Sequence, residues 1–256
     1  MTEAEKDNLV FLKKTGCKDA KCLRQLTITK ILQSIPWKEY PAWAAEDLFD
    51  LPQKGIFIGP MPVVDGYVVP FPPLDVWKKK KKEGYSDVPF VIGTTLQETE
   101  LAPVFENISK WTEEDYHWFV KSRLKTFGGS LADEALNLYP VSEFCIQPER
   151  CVEKTYMTMV SDVRVSCPSN ELAKQAAAAL SSPVYRYQVI YTPSRPVRLN
   201  NLFSYESWFS FHMLDTLGFF GTLDYSLGKT TKADHEFQKL IRKYFIHFAK
   251  EGPNAS

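Results

Sequence analysis

Val88-Pro89-Phe90-Val91-Ile92-Gly93-Thr94-Thr95-Leu96-Gln97-Glu98 is the stretch on which the fold turns. Its first seven residues are short and continuously apolar, as a strand buried within a parallel sheet requires. Glu98 follows just past the carboxyl end of that strand. A second run, Val184-Tyr185-Arg186-Tyr187-Gln188-Val189-Ile190-Tyr191, is rich in β-branched and aromatic residues and stops at Thr192-Pro193. Beyond it stands His212, in Phe211-His212-Met213-Leu214-Asp215.

Helical patterns fill the space between these strands, over residues 112–127, 131–139, 149–161 and 169–181, the last opening at Pro168 and Ser169. The final helix is the clearest. Phe237, Leu240, Ile241, Tyr244, Phe245 and Phe248 recur at helical spacing, Thr231-x-x-Asp234 can cap the start, and Gly252-Pro253 can stop it. Residues 4–35 also read as helical, with Cys17 and Cys22 at a turn. Residues 36–73 are loop-dominated, because proline recurs through them and fixes its own backbone. Within this stretch, Val63-Val64-Asp65-Gly66-Tyr67-Val68-Val69 reads as a turn between short extended pieces. Strands alternating with helices specify an α/β fold, and no internal repeat is present.

A chain of 256 residues that is 44% hydrophobic and 24% charged can bury a substantial core. Its 31 basic and 31 acidic side chains cancel, which argues against nucleic acid or an anionic membrane as the main partner. The five lysines Lys78–Lys82 read best as the solvated end of a short helix. No signal peptide opens the sequence, and no run approaches the roughly 18 apolar residues of a transmembrane helix. Two acceptor triplets, Asn107-Ile108-Ser109 and Asn254-Ala255-Ser256, agree with an exported glycoprotein but arise often by chance.

Cys17 with Cys22, and Cys145 with Cys151, can close local disulfides in an oxidising compartment or remain buried thiols; Cys167 is left over. Neither pair has the two-residue spacing or nearby histidine pair expected of zinc, so no metal and no cofactor are expected. His117, His235 and His247 read as structural, and Ser130 in Gly128-Gly129-Ser130 reads as a helix N-cap.

Gly16-Cys17…Cys22-Leu23-Arg24, Pro62-Val63-Val64-Asp65-Gly66, Val88–Thr94 with Glu98, Asp162…Cys167-Pro168, His212-x-x-Asp215…Phe219-Phe220-Gly221 and Phe248-Ala249-Lys250-Glu251-Gly252 occur in one order along the chain. In these residues and that order the sequence resembles the type-B carboxylesterases and cholinesterases of the α/β-hydrolase fold. The resemblance covers nearly the whole chain. It implies that residues 1–256 form a single partial domain, the C-terminal half of the esterase unit, with parallel strands, flanking helices and the nucleophile half absent.

In that family the triad runs Ser…Glu…His. The resemblance therefore implies His212 as general base and Glu98 as the acid that orients it, with the serine and the oxyanion loop expected upstream of Met1. No Gly-x-Ser-x-Gly occurs in the 256 residues. It also implies a Cys17–Cys22 disulfide, a partner for Cys167 beyond Ser256, and a full-length protein in the secretory pathway. Phe209, Phe211, Phe219 and Phe220 suggest an apolar wall for a small-molecule ester near His212. Thr99, where the family usually has glycine, is expected to shift the Glu98 loop; Asp215 stands where the family carries either acid.

The expected function is carboxylic ester hydrolysis by acyl-enzyme chemistry in the full-length protein, with this chain inactive alone. A different class keeps the fold without the triad: a cholinesterase-like adhesion or binding protein. Retention of both Glu98 and His212 argues against it. A third reading, a complete hydrolase with an unrecognised nucleophile, must explain activity without an oxyanion hole.

Overall fold

Phe90–Thr95 forms strand β1 and Val184–Val189 forms β2, paired in parallel from Phe90 opposite Val184 to Thr95 opposite Val189. These are the two strands of the sheet found among the described residues of a computed structural model, which are 8–35, 50–53, 64–77, 87–100, 108–141, 147–198 and 205–252. Lys78–Lys82, Cys145, Asn107, Asn254, and Pro62 and Val63 of the proline-rich stretch lie outside them. β1 is fully buried at Thr94 and Thr95 and part-buried before that. An apolar run predicts burial throughout, but among the described residues β1 pairs with one strand instead of lying between two. β2 ends two residues earlier than its pattern suggests, and Ile190 is exposed.

The chain divides into two compact units. The first, Met1–Ala45 with Phe57–Pro70, carries α1 (Leu9–Thr15), α2 (Ala20–Arg24) and α3 (Ile28–Ser34). Gly16 ends α1 with φ 76°, and Asp19 and Thr27 cap α2 and α3 by accepting from Cys22 N and Lys30 N. Cys17 and Cys22 are disulfide-bonded across the α1–α2 turn. Asp65 Oδ1 accepts the N–H groups of Tyr67, Val68 and Val69, which holds that carboxyl below its ordinary range and makes the 65–69 turn.

The second unit, Glu46–Ile56 with Phe71–Ser256, contains the sheet and most of the helices. They are α4 (Pro73–Val76), α5 (Glu113–Leu124), α6 (Leu131–Leu138), α7 (Cys151–Ser161), α8 (Cys167–Ala179), α9 (Leu214–Phe220), α10 (Leu223–Leu227) and α11 (Lys232–Glu251). Thr112 with Asp115 and Thr231 with Asp234 form reciprocal capping boxes at the starts of α5 and α11.

Three local readings change. The helices read as 149–161 and 169–181 are joined by a π-helical turn at Asp162–Ser166, so the helix runs on through Pro168. The widened turn leaves room for a ring that has no N–H to give. Ser130 occupies the N-cap position of α6 but its hydroxyl bonds Glu134 instead of the backbone. On α11 the inward stripe is Asp234, Phe237, Gln238, Ile241, Phe245 and Phe248, whereas Leu240 and Tyr244 face solvent.

Two apolar clusters hold the second unit. Leu51, Ile108, Tyr116, Val120, Leu124, Tyr156, Met157, Met159 and Val160 join α5 to α7. Val189, Val197, Phe211, Leu214, Leu223, Leu227 and Phe237 join β2 to α9, α10 and α11. The second cluster underlies the segment that carries His212.

Candidate active site

Glu98 and His212 meet. His212 Nδ1 lies 2.6 Å from Glu98 Oε2, although 114 residues separate them. The opposite oxygen, Oε1, accepts the N–H of Thr95 at 2.5 Å, so the carboxylate is held at both ends. Glu98 is buried, while 48% of the His212 side chain remains open. A carboxylate on Nδ1 fixes the tautomer with the proton there and leaves the Nε2 lone pair to accept another.

The strand ends explain why these two residues come together. Leu96 N donates to Val189 O, which extends the β1–β2 pairing by one bond. Gln97 N then donates to Ser210 O, Ser210 N donates back to Gln97 Oε1, and Gln97 and Phe211 form a parallel bridge. Glu98 and His212 each follow that bridge by one residue. Met213, the residue after His212, takes φ 70°, a left-handed conformation that costs a side-chain-bearing residue about 1–2 kcal/mol. It turns the chain directly into α9, and such strain gathers at functional sites.

Hydrogen bonding to Glu98 raises the pKa of His212 above 6.5; partial burial opposes the shift, and the charges of Glu98 and Asp215 reinforce it. Asp215 is itself held by Tyr187, whose hydroxyl donates to Oδ2 at 2.6 Å. The Tyr187 ring covers Gly93 in β1 so closely that a Cβ on Gly93 would lie 1.8 Å from Tyr187 Cζ. The glycine is needed for space and not for its backbone angle, since Gly93 is absent from the positive-φ positions.

Thr99 keeps an ordinary backbone and bonds α7: its N–H donates to Ser161 Oγ at 3.0 Å, and its hydroxyl lies 3.0 Å from the same oxygen. It therefore anchors the Glu98 loop to α7. The four phenylalanines fall into two groups, with Phe219 and Phe220 packed edge-on against each other. Phe209 and Phe211 are 3% and 0% exposed and support the His212 segment from inside, Phe219 packs edge-on against Phe245, and Phe220 is 70% exposed.

Gln97, Glu100, Tyr187 and Ser210 were not singled out by sequence. Their side chains find partners 21 to 113 residues away, and no linear spacing marks them. Among the described residues, no group of three or more His, Cys, Asp or Glu is placed to hold a metal ion, and no helix is long and apolar enough to cross a membrane.

A family model described as the carboxylesterase family matches residues 2–256. Among solved structures, a crystal structure of Aspergillus niger EstA is similar with a TM-score of 0.57 and 20% identity, over 99% of this chain and 47% of that one. The chain thus spans about half the length of that structure, and at this identity the likeness concerns the fold alone. Both findings imply the α/β-hydrolase fold, in keeping with helices around a small parallel sheet. A search among curated proteins returns no match.

Proposed function

Because this chain belongs to the carboxylesterase family, we propose that it supplies the acid and the general base of a serine ester hydrolase whose nucleophile lies outside these 256 residues. The observation that carries the reading is the bond between Glu98 and His212, with Nδ1 engaged and Nε2 free to take a proton. No Gly-x-Ser-x-Gly is present to supply the attacking oxygen.

In the full-length protein, a serine hydroxyl attacks the ester carbonyl while His212 Nε2 takes its proton. Glu98 keeps the imidazole oriented and stabilises its cationic form. The protonated His212 then gives the proton to the departing alkoxide, leaving an acyl-serine. Water repeats the sequence: His212 takes its proton, hydroxide adds to the acyl carbon, and serine leaves as the alcohol. The exposed face of His212 is where the missing half, with its serine and oxyanion donors, is seated. Phe219 and Phe220, the less buried of the four rings, are the ones available to line an ester pocket; Phe209 and Phe211 act from beneath.

The Cys17–Cys22 disulfide supports passage of the full-length protein through an oxidising compartment, as a secreted esterase requires. An adhesion or binding role is less favoured, because an intact acid–base pair has no purpose there.

The test is hydrolysis of p-nitrophenyl acetate. The 256-residue chain should show none, and the polypeptide encoded by the complete transcript should turn over and lose activity on His212→Ala. A complete transcript with no Gly-x-Ser-x-Gly would sink the esterase reading. Hydrolysis by the 256-residue chain, abolished by His212→Ala, would overturn the missing nucleophile.

A further inference from the structure

Two residues past Glu98, a second carboxyl sits where a carboxyl is expensive. Glu100 is 0% exposed. Its Oε1 accepts Trp208 N at 2.5 Å, Phe209 N at 3.2 Å and the Tyr205 hydroxyl at 3.2 Å; its Oε2 accepts Phe209 N at 3.0 Å. Its backbone carbonyl accepts Ser207 Oγ at 2.6 Å. An apolar side chain would fill the same space without the desolvation cost. What the carboxyl adds is a fixed relation between two irregular segments, 97–100 and 205–211, whose backbone donors have few ladder partners.

These contacts flank the acid–base pair. On one side of Glu98, Gln97 exchanges two hydrogen bonds with Ser210; on the other, Glu100 takes the N–H groups of Trp208 and Phe209. With only the Gln97 attachment, the His212 segment would pivot about the Gln97–Phe211 bridge. With both, the direction of that segment is set, and the 2.6 Å approach of His212 to Glu98 follows.

We propose that Glu100 is a positioning residue for the Glu98–His212 pair, acting through the backbone of Trp208 and Phe209 and touching neither the imidazole nor the substrate. The groups that face it fit this role. Tyr205 also donates to Glu153 of α7 at 2.8 Å, Glu153 is paired with Arg150 at 2.6 Å, and Arg150 lies 4.2 Å from the centre of the Trp208 ring. Lys154, the next residue on α7, stands 5.9 Å over Phe209. Burial, with the charge of Glu153 adding to it, pushes Glu100 up to about 8 against the N–H groups and the Tyr205 hydroxyl that favour ionisation. Glutamine is the conservative variant, because its one carbonyl oxygen can take the contacts of Oε1 with Trp208 N, Phe209 N and the Tyr205 hydroxyl.

The inference rests on reading Glu98 and His212 as an acid–base pair, but its test needs no turnover. Each of the four histidines can be followed separately by diethyl pyrocarbonate modification against pH, read by peptide mass spectrometry on the 256-residue chain. The wild type and Glu100→Gln should give a His212 midpoint above 6.5. Glu100→Ala should bring that midpoint back toward about 6.5, the value of an unpaired imidazole. Val120→Ala, which opens a cavity in the α5–α7 cluster, should leave it in place, with His117, His235 and His247 as internal references. Ser207→Ala, which removes only the bond to the Glu100 carbonyl, should lower it by a smaller amount and decides the matter if Glu100→Ala fails to fold. An unchanged midpoint in the folded alanine variants, or an equal fall in Val120→Ala, would overturn the proposal. Failure of esterase activity in the full-length protein would leave it standing.

Discussion

Gly93→Ala is a one-carbon change with a large expected cost. The new Cβ would lie 1.8, 2.1 and 2.4 Å from three ring atoms of Tyr187. Carbon atoms rest about 3.5–4.0 Å apart, so the ring must move by roughly 2 Å. That displacement breaks the 2.6 Å bond from the Tyr187 hydroxyl to Asp215 and the edge-on contact of Tyr187 with Phe245. Loss of a hydrogen bond to a charged group is worth about 1.5–3 kcal/mol and loss of an aromatic pair about 0.5–1.5 kcal/mol. Overpacking itself adds about 1–3 kcal/mol, and partial relaxation brings the expected total to roughly 3–5 kcal/mol. The decisive assay is a double-mutant cycle by urea unfolding. Tyr187→Ala alone costs about 3–5 kcal/mol. Once the ring is gone, adding Gly93→Ala should cost less than about 1 kcal/mol, because alanine suits a strand no worse than glycine does. The coupling is then roughly 3 kcal/mol. Additivity of the two changes within about 0.5 kcal/mol would refute the argument that Gly93 is there to receive Tyr187.

Other consequences follow from the same contacts. Glu98→Gln should lower the His212 midpoint, because its hydrogen bond is the largest cause of the raised value. The sign follows from linkage: the pairing stabilises the fold fully below about 6.5 and the contribution is lost as pH rises through the folded-state midpoint, so the variant should lose stability mainly on the acid side, as pH-dependent melting would show. Asp234→Ala removes the N3 half of the α11 capping box and the acceptor used by Tyr191, Ser194 and Thr231, and should cost about 3–5 kcal/mol, or roughly 10 °C in melting temperature. Although burial of Asp234 acts upward, its hydrogen bonds from Ser194 and Thr231 hold the carboxyl far below the usual range, so wild type should lose this stabilisation as pH falls below about 3.9 while the variant does not. Glu100 shifts the opposite way: its contribution is complete below its unfolded value and is lost as pH rises through about 8, so Glu100→Gln should flatten the alkaline decline in a pH series of unfolding curves. The folded 256-residue chain should bind the dye ANS, because β1 pairs with one strand among the described residues and Ile190, Phe220 and Tyr225 are 71%, 70% and 92% exposed; absence of a dye signal would count against this.

The sequence was most informative where the physics is local. A run of apolar residues ending before Glu98 found β1, Thr231-x-x-Asp234 bounded the last helix and Gly252 ended it, because strand preference, capping and helix stops each depend on a few consecutive residues. It misjudged what depends on neighbours in space. Val88–Thr94 does not record that β1 has one partner strand among the described residues, Leu240 and Tyr244 belong to the helical pattern of α11 but not to its buried side, and Pro168 reads as a helix start because nothing local announces the π turn before it.

The candidate site divides along the same line. Glu98 and His212 could be named from sequence because the motifs around them resemble those of a known family, but the groups that hold them could not. Gln97 and Glu100 look like ordinary polar residues of a loop, and Tyr187 like any aromatic in a strand. Their roles appear only when Gln97 meets Ser210, Glu100 meets Trp208 and Phe209, and Tyr187 reaches over Gly93 to Asp215. These three attachments act on different parts of one short segment, two before His212 and one after it. An imidazole that is 48% open has too little packing of its own to stay aligned with a carboxylate at 2.6 Å. Its alignment must therefore come from the backbone on either side. Loosening any one attachment should then change the titration of His212.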